Sequence, residues 1–369
     1  MMTNDPGLYI HVPFCRGKCP YCDFYSFRAD AAFKARYTET IIKNIIKEQT
    51  QKGLTFRTVY FGGGTPSQLG AQNLCRVLDA IRKQPDAEVT VECNPSDLCE
   101  EWSQSELDSL VSHGANRISM GMQSVVEQER KALGRRAGEQ QVKQAVGMVK
   151  AAGVTDFSLD VMLGIPFQTP ATVRQSVAFC AESGATHLSA YLLKIEQGTP
   201  FEKVEKTLNL PDEDECCELY LTACEEAEKN GFHQYEISNF AKDGHVSRHN
   251  LIYWNDEEYI GIGPAAHSFY GGKRYYNTAD AEHPQTVEDG EGGSFEEYAM
   301  LRLRLTEGLT ERGTKERFGF ALPQAIRTAA QPFAERGLLV CDESGVRLNP
   351  KGFLVSNTII AALLANAEG

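Results

Sequence analysis

The sequence predicts an α/β protein: an open or incomplete parallel barrel of six β/α units, followed by a smaller, mainly helical domain. Two patterns predict the barrel. Six short apolar segments recur along the chain: Leu8 to Val12, Thr58 to Phe61, Glu88 to Cys93, Arg117 to Met120, Asp156 to Leu163 and His187 to Leu193. Short, continuous apolar runs are what parallel strands covered on both faces require. Helix-length segments separate them. Phe33 to Lys52 and Ala71 to Lys83 are two, and in a third Val142, Ala145, Val146 and Val149 follow the i, i+3, i+4, i+7 spacing of one buried stripe. Six such units exceed a minimal nucleotide fold and place the functional loops at the carboxyl ends of the strands.

After about residue 200 the rhythm changes. Asp212 to Gly231 reads as a helix, and a loop-rich stretch follows with Tyr235, His245, His249 and Trp254. Between Asp280 and Glu297 seven acidic residues and no Lys or Arg accompany Pro284, Gly290, Gly292 and Gly293, a composition that predicts a linker. Beyond it Ser294 to Thr306, Gln324 to Arg336 and Phe353 to Ala367 read as helices. Leu338 to Leu348 reads as a hairpin around Glu343-Ser344-Gly345, giving a winged-helix-like unit. The expected organisation is a barrel core over residues 1–200, a barrel-completing region over 201–285 and a C-terminal helical domain over 286–369.

Composition narrows the function classes. With 369 residues and 42% hydrophobic content the chain can bury a large core. The net charge of −13, with no basic block, argues against nucleic acid, whose phosphates need clustered Lys and Arg. Eleven cysteines, an odd number, with no evident secretory leader fit a reducing compartment better than a disulfide framework, so the cytoplasm is expected. The uncharged run Gly352 to Ala367 falls short of the ~20 residues that cross a bilayer and reads as a packed terminal helix.

Cys15, Cys19 and Cys22 follow the first predicted strand in Pro13-Phe14-Cys15-Arg16-Gly17-Lys18-Cys19-Pro20-Tyr21-Cys22. A cubane cluster has four irons, so three thiolates leave one iron open to an exchangeable ligand. The alternative is a structural zinc loop. Zinc sites usually draw on two ligand pairs across a spacer, and no second pair with that spacing appears. The spacing is that of the radical S-adenosylmethionine (SAM) proteins, which the chain resembles. The resemblance implies a partial (β/α)6 barrel of the radical SAM type. It also implies a [4Fe-4S] cluster on Cys15, Cys19 and Cys22 whose open iron chelates the amino and carboxylate groups of SAM. An electron donor for the cluster is an implied partner.

The ends of the later strands carry polar residues, each with a plainer structural alternative. In Gly62-Gly63-Gly64-Thr65-Pro66, residues without Cβ let the backbone approach a ligand and Thr65 adds a hydroxyl; alone this is a glycine-rich turn before a helix. Glu92 can hold ribose hydroxyls or an ammonium group, or serve as an ion-pair partner. Gln123, Arg135 and Asp160 suit amide-sized, carboxylate and hydroxyl groups, and singly such residues are more often structural. Their order along the chain is similar to that of the oxygen-independent coproporphyrinogen III oxidase branch of radical SAM proteins. That resemblance implies that Gly64, Thr65, Glu92, Gln123, Arg135 and Asp160 bind SAM, with Tyr9 in the same group and Tyr21 beside the adenine.

Within that branch, His249-Asn250-Leu251-Ile252-Tyr253-Trp254 resembles the His-Asn-x-x-Tyr-Trp element of the radical SAM heme chaperones of the HemW type. An imidazole can ligate heme iron, and Tyr253 and Trp254 offer flat apolar surface with polar edges. In the other reading Tyr253 and Trp254 cap the barrel and His249 makes an ordinary hydrogen bond. His245 and His267 are nearby imidazoles, and His11 sits beside the cysteine loop. Porphyrinogen dehydrogenases of the family carry a cysteine where this chain has Phe24. The leading expectation is a heme chaperone that passes heme to an acceptor protein. The alternative is a SAM-dependent coproporphyrinogen III dehydrogenase, and radical methylation or heme degradation forms a third class. A peripheral contact with a membrane-bound acceptor stays compatible with the acidic surface.

Overall fold

The structure, a computed structural model, describes residues 5–365. Six strands, β1 (Gly7–Val12), β2 (Phe56–Gly63), β3 (Lys83–Cys93), β4 (Arg117–Gln123), β5 (Asp156–Leu163) and β6 (His187–Leu192), pair in parallel in sequential order. Alternation decides which face is core. Leu8, Ile10 and Val12 are buried in the main apolar core with Ile41 and Ile45 of the helix Ala31–Lys52, whereas Tyr9 and His11 point to the other face. The stripe Val142, Ala145, Val146 and Val149 of the helix Glu139–Ala151 is buried as its spacing predicts.

The barrel stays open. Beyond β6 the sheet continues antiparallel through β7 (His233–Gln234) and β8 (Asn239–Ala241), with β8 against β6. On the other side β9 (Tyr259–Ile262) pairs in parallel with β1. It is followed by antiparallel β10 (His267–Tyr270), β11 (Lys273–Asn277) and β12 (Thr286–Glu291), giving a 12-stranded mixed sheet. A separate sheet, β13 (Leu309–Thr310), β14 (Leu339–Asp342) and β15 (Gly345–Leu348), lies in the C-terminal part with the helices Glu311–Phe318 and Gln324–Glu335. Among the described residues no helix is long and apolar enough to cross a membrane.

Three expectations are corrected. The helix starting at Ala71 ends at Asp79, because Phe56 N donates to the Arg82 carbonyl and commits the following residues to the sheet. The acidic stretch expected to be a linker contains β12, whose residues are all exposed; charge on an edge strand keeps it from pairing with other chains. The terminal helix is two helices, Pro350–Leu354 and Ser356–Leu364, broken at Val355, and Ala367 lies outside the described residues. The hairpin expected around Ser344 is β14 and β15.

Candidate functional site

The cysteine loop is clamped at its base. Phe14, at the end of β1, is buried edge-on against Phe27, Phe33 and Tyr37. Phe27 N donates to the Pro13 carbonyl (2.9 Å) and Cys15 N to the Phe27 carbonyl (3.0 Å). The loop between is thereby closed, and Cys22 N bonds the Cys19 carbonyl within it (3.1 Å). All three cysteines line one cavity of about 600 Å³ at the carboxyl ends of the parallel strands. Among the described residues no three His, Cys, Asp or Glu side chains converge as a single metal ion requires. A cubane with one thiolate per iron takes a wider ligand set than one zinc ion does. The loop itself supplies three thiols, a donor set that leaves one iron of a cubane open; Cys93, at the end of β3, also lines the cavity, but it is buried, and burial pushes its thiol well up.

The same cavity gathers Tyr21, Gly64, Thr65, Glu92, Gln123, Arg135 and Asp160. Gly64 must be glycine: a Cβ there would lie 2.8 Å from the Phe14 carbonyl oxygen and 2.9 Å from that of Val12. Gly64 N and Thr65 N instead bond those two carbonyls (2.9 and 2.7 Å), zipping the β2 turn to the cysteine strand. The Thr65 hydroxyl lies 3.4 Å from Cys15 Sγ. Gln123 sits at a bulge between β4 and β5 with φ of 70°, the left-handed region that a non-glycine residue rarely enters. The bulge turns its amide into the cavity, where Oε1 accepts from the Tyr191 hydroxyl (3.1 Å).

Glu92, Asp160 and Arg135 bring two buried carboxyls and one guanidinium to the wall. Burial pushes the Glu92 carboxyl up to about 7 despite a bond donated by the Tyr60 hydroxyl (2.7 Å). Burial likewise pushes Asp160 up to about 6, although the Ser119 and Ser158 hydroxyls donate to it. Glu92 has no cation beside it and the Arg135 charge only partly offsets the burial of Asp160, so an ammonium, sulfonium or hydroxyl-bearing ligand supplies what both carboxyls want. Burial works against the Arg135 charge, but Tyr21 and Cys19 outweigh it and its pKa is raised; its Nη2 donates to the Gly121 carbonyl and Nη1 lies 3.9 Å from Cys19 Sγ. Tyr21 packs edge-on against Phe201, whose N–H bonds the Pro20 carbonyl. Tyr9 stands behind this wall, stacked on Tyr60.

Sequence reasoning missed Tyr60, Ser119, Ser189 and Tyr191, which also line the cavity. Their signal is register: Glu92 pairs with Ser119, and Asp160 pairs with both Gly121 and Ser189, so cross-strand rows carry the site.

His249, expected from its motif to face heme iron, has both ring nitrogens hydrogen-bonded within the fold. His249 lies in the helix Arg248–Trp254, beside the amino ends of β2 and β3, where Arg248 N and His249 N donate to the Glu88 carboxylate (2.8 and 2.9 Å). The ring is fully buried and stacks on Tyr60. Its Nδ1 is 2.7 Å from the Thr58 hydroxyl and its Nε2 2.8 Å from that of Tyr253, so both nitrogens are occupied, and burial pushes its pKa down to about 3. Tyr253 packs edge-on against Tyr259, and Trp254 is half-buried. Of the six-residue element only Asn250 lines the cavity.

Residues 9–180 match the family model of the Radical SAM superfamily, and residues 295–355 match that of the HemN C-terminal domain. Among solved structures, coproporphyrinogen III oxidase (HemN) from Escherichia coli, a radical SAM enzyme, is similar with a TM-score of 0.81 at 19% identity, over 97% of this chain and 90% of that one. That likeness shows the fold, and the matched model supplies the class, radical SAM. Heme chaperone HemW of Bacillus subtilis (strain 168) is 32% identical over 96% of this chain and 98% of its own. Heme chaperone HemW of Escherichia coli (strain K12) is 35% identical over 77% and 76%. The chain belongs to the radical SAM heme chaperone family of the HemW type.

Proposed function

We propose that the protein binds heme and delivers it to an acceptor protein while carrying a [4Fe-4S] cluster with exchangeable SAM. The observation that carries this reading is the match, over nearly the whole of both chains, to a protein named as a heme chaperone. Cys15, Cys19 and Cys22 would hold the cluster, which supplies an open iron and a single electron when bound. Glu92 and Asp160 accept hydrogen bonds from the ammonium or ribose hydroxyls of SAM, Gln123 offers its amide, Arg135 compensates the substrate carboxylate and Tyr21 covers the adenine. Gly64 and Thr65 hold the strand turn against the cysteine loop. Heme, an acceptor protein and an electron donor are the partners of this reading.

Phe24 supports the chaperone over the porphyrinogen dehydrogenase. It is 62% exposed at the cavity and presents an apolar ring where a fourth thiol would stand. Anaerobic titration of cluster-reconstituted protein with ferric heme, followed by incubation with a heme-free acceptor, tests the proposal. Saturable heme uptake and release to the acceptor are expected, with coproporphyrinogen III left unconverted. Protoporphyrinogen formed in proportion to 5′-deoxyadenosine, without heme uptake, would overturn it.

A further inference from the structure

We infer that Asn250 binds a ribose hydroxyl of SAM, reaching the cavity from the side opposite the cysteine loop. This rests on the SAM-binding reading above. The helix Arg248–Trp254 packs on the amino ends of the first strands. A Cβ on Gly7, the first residue of β1, would lie 2.7 Å from Ile252 Cδ1 and 3.3 Å from His249 Cε1, so glycine there lets the helix close on the strand. The cysteine loop and Gly64 stand at the carboxyl ends of the same strands. Of the whole helix only Asn250 lines the cavity, and it does so from the amino-end side.

The bonds around Asn250 hold it there. Ser247 caps the helix by accepting from Asn250 N (3.3 Å), and Glu88 of β3 accepts from Arg248 N and His249 N. His249 is a positioning residue: its nitrogens are bonded to Thr58 and Tyr253, and its ring stacks on Tyr60 with centroids 5.1 Å apart. The Tyr60 hydroxyl in turn donates to Glu92, so two stacked rings link the helix to that carboxyl.

Donor accounting selects the ligand group. Tyr60, Ser119 and Tyr191 spend their hydroxyls on Glu92, Asp160 and Gln123. The half-buried Asn250 side chain makes no hydrogen bond to the protein, and its amide keeps both N–H groups and its oxygen. A hydroxyl that donates its proton to a buried carboxylate has oxygen lone pairs left over, and an unspent amide N–H satisfies them. The cluster iron takes the amino and carboxylate groups of SAM at the cysteine end, which leaves the nucleoside to face Asn250.

The experiment uses the full chain with its cluster reconstituted, titrated anaerobically with SAM in a calorimeter, with 5′-deoxyadenosine and methionine then tested separately as competitors. Asn250→Ala should weaken SAM and 5′-deoxyadenosine binding about five- to tenfold, the worth of one net hydrogen bond, while methionine competes as in the parent protein. Asn250→Leu keeps the bulk of the side chain and removes both hydrogen-bonding groups, and it should show the same loss. Iron content and the melting temperature without ligand should match the parent, whereas the rise in melting temperature caused by SAM should shrink. Unchanged SAM affinity in both variants would overturn the assignment and leave the SAM reading standing. An equal loss for methionine, or a fall in iron content, would also overturn it, because a merely structural role disturbs the whole site. Failure of the parent protein to bind SAM would instead remove the SAM reading itself, and the assignment with it.

Discussion

Glu92 and Asp160 show how one residue's surroundings set the chemistry of the cavity. Their carboxyls titrate near 7 and 6 because burial penalises the charged form. Without ligand, both raised values favour the protonated fold. Their stabilising contribution is complete below the ordinary carboxylate range and is lost as pH rises through about 6 to 7. A cationic ligand needs the charged forms, so SAM affinity should rise between pH 5.5 and 8, on the order of tenfold per carboxylate engaged. Isothermal titration at several pH values checks this, and Glu92→Gln should flatten the profile. His249 runs the other way. Its pKa near 3 means a neutral ring in the fold, stabilising above the ordinary histidine value and progressively lost as pH falls below it. His249→Ala orphans the Thr58 and Tyr253 hydroxyls and opens a cavity against Tyr60. It should cost about 2–4 kcal/mol in denaturant unfolding while hemin binding persists.

At the scale of elements, the turn after β2 and the bulge of β4 place the site. Gly64→Ala would drive a methyl into the Val12 and Phe14 backbone, which cannot yield as a flexible side chain can. The cysteine loop shares that backbone, so iron content after anaerobic reconstitution should drop to a minor fraction of the parent value while far-ultraviolet circular dichroism stays near native. Strands were legible because a short apolar run between helices has few other uses, and the observed β1 to β6 contain all but Leu193 of the six expected segments. Strand β12 was not. It is exposed throughout and half of its six residues are acidic, so it has no apolar alternation; only pairing with β11 makes it a strand.

For the molecule as a whole, the mixed sheet extends beyond the six parallel strands at both edges, and the C-terminal part is fastened beneath it. Asp256, buried with φ of 52°, accepts from Arg274 of β11 (3.0 Å) and from Arg317 of the helix Glu311–Phe318 (2.6 Å). Removing it leaves two guanidinium groups without their shared partner. Asp256→Ala should destabilise by about 2–4 kcal/mol, with hydrogen exchange accelerated first in the C-terminal helices. Ligand linkage acts at the same scale: SAM at 100 times its dissociation constant should raise the stability of reconstituted protein by about 2.7 kcal/mol, and chelation of the cluster should abolish that gain.

The sequence by itself determined the parallel core and the cysteine loop, because a strand followed by closely spaced thiols is a local pattern whose ligands travel together. It also marked Thr65, Glu92, Gln123 and Asp160, since polar residues towards the carboxyl ends of apolar strands have one end of the sheet to occupy, whereas Arg135, in the loop after the helix Glu127–Ala132, was marked by resemblance alone. Tertiary structure alone decided what the His249 imidazole touches. His249 meets Thr58, 191 residues away, and that bond removes a nitrogen that the motif itself leaves open. Hydrogen-bond partners and register come from long-range pairing, and local periodicity holds no information about which distant strand or hydroxyl will arrive.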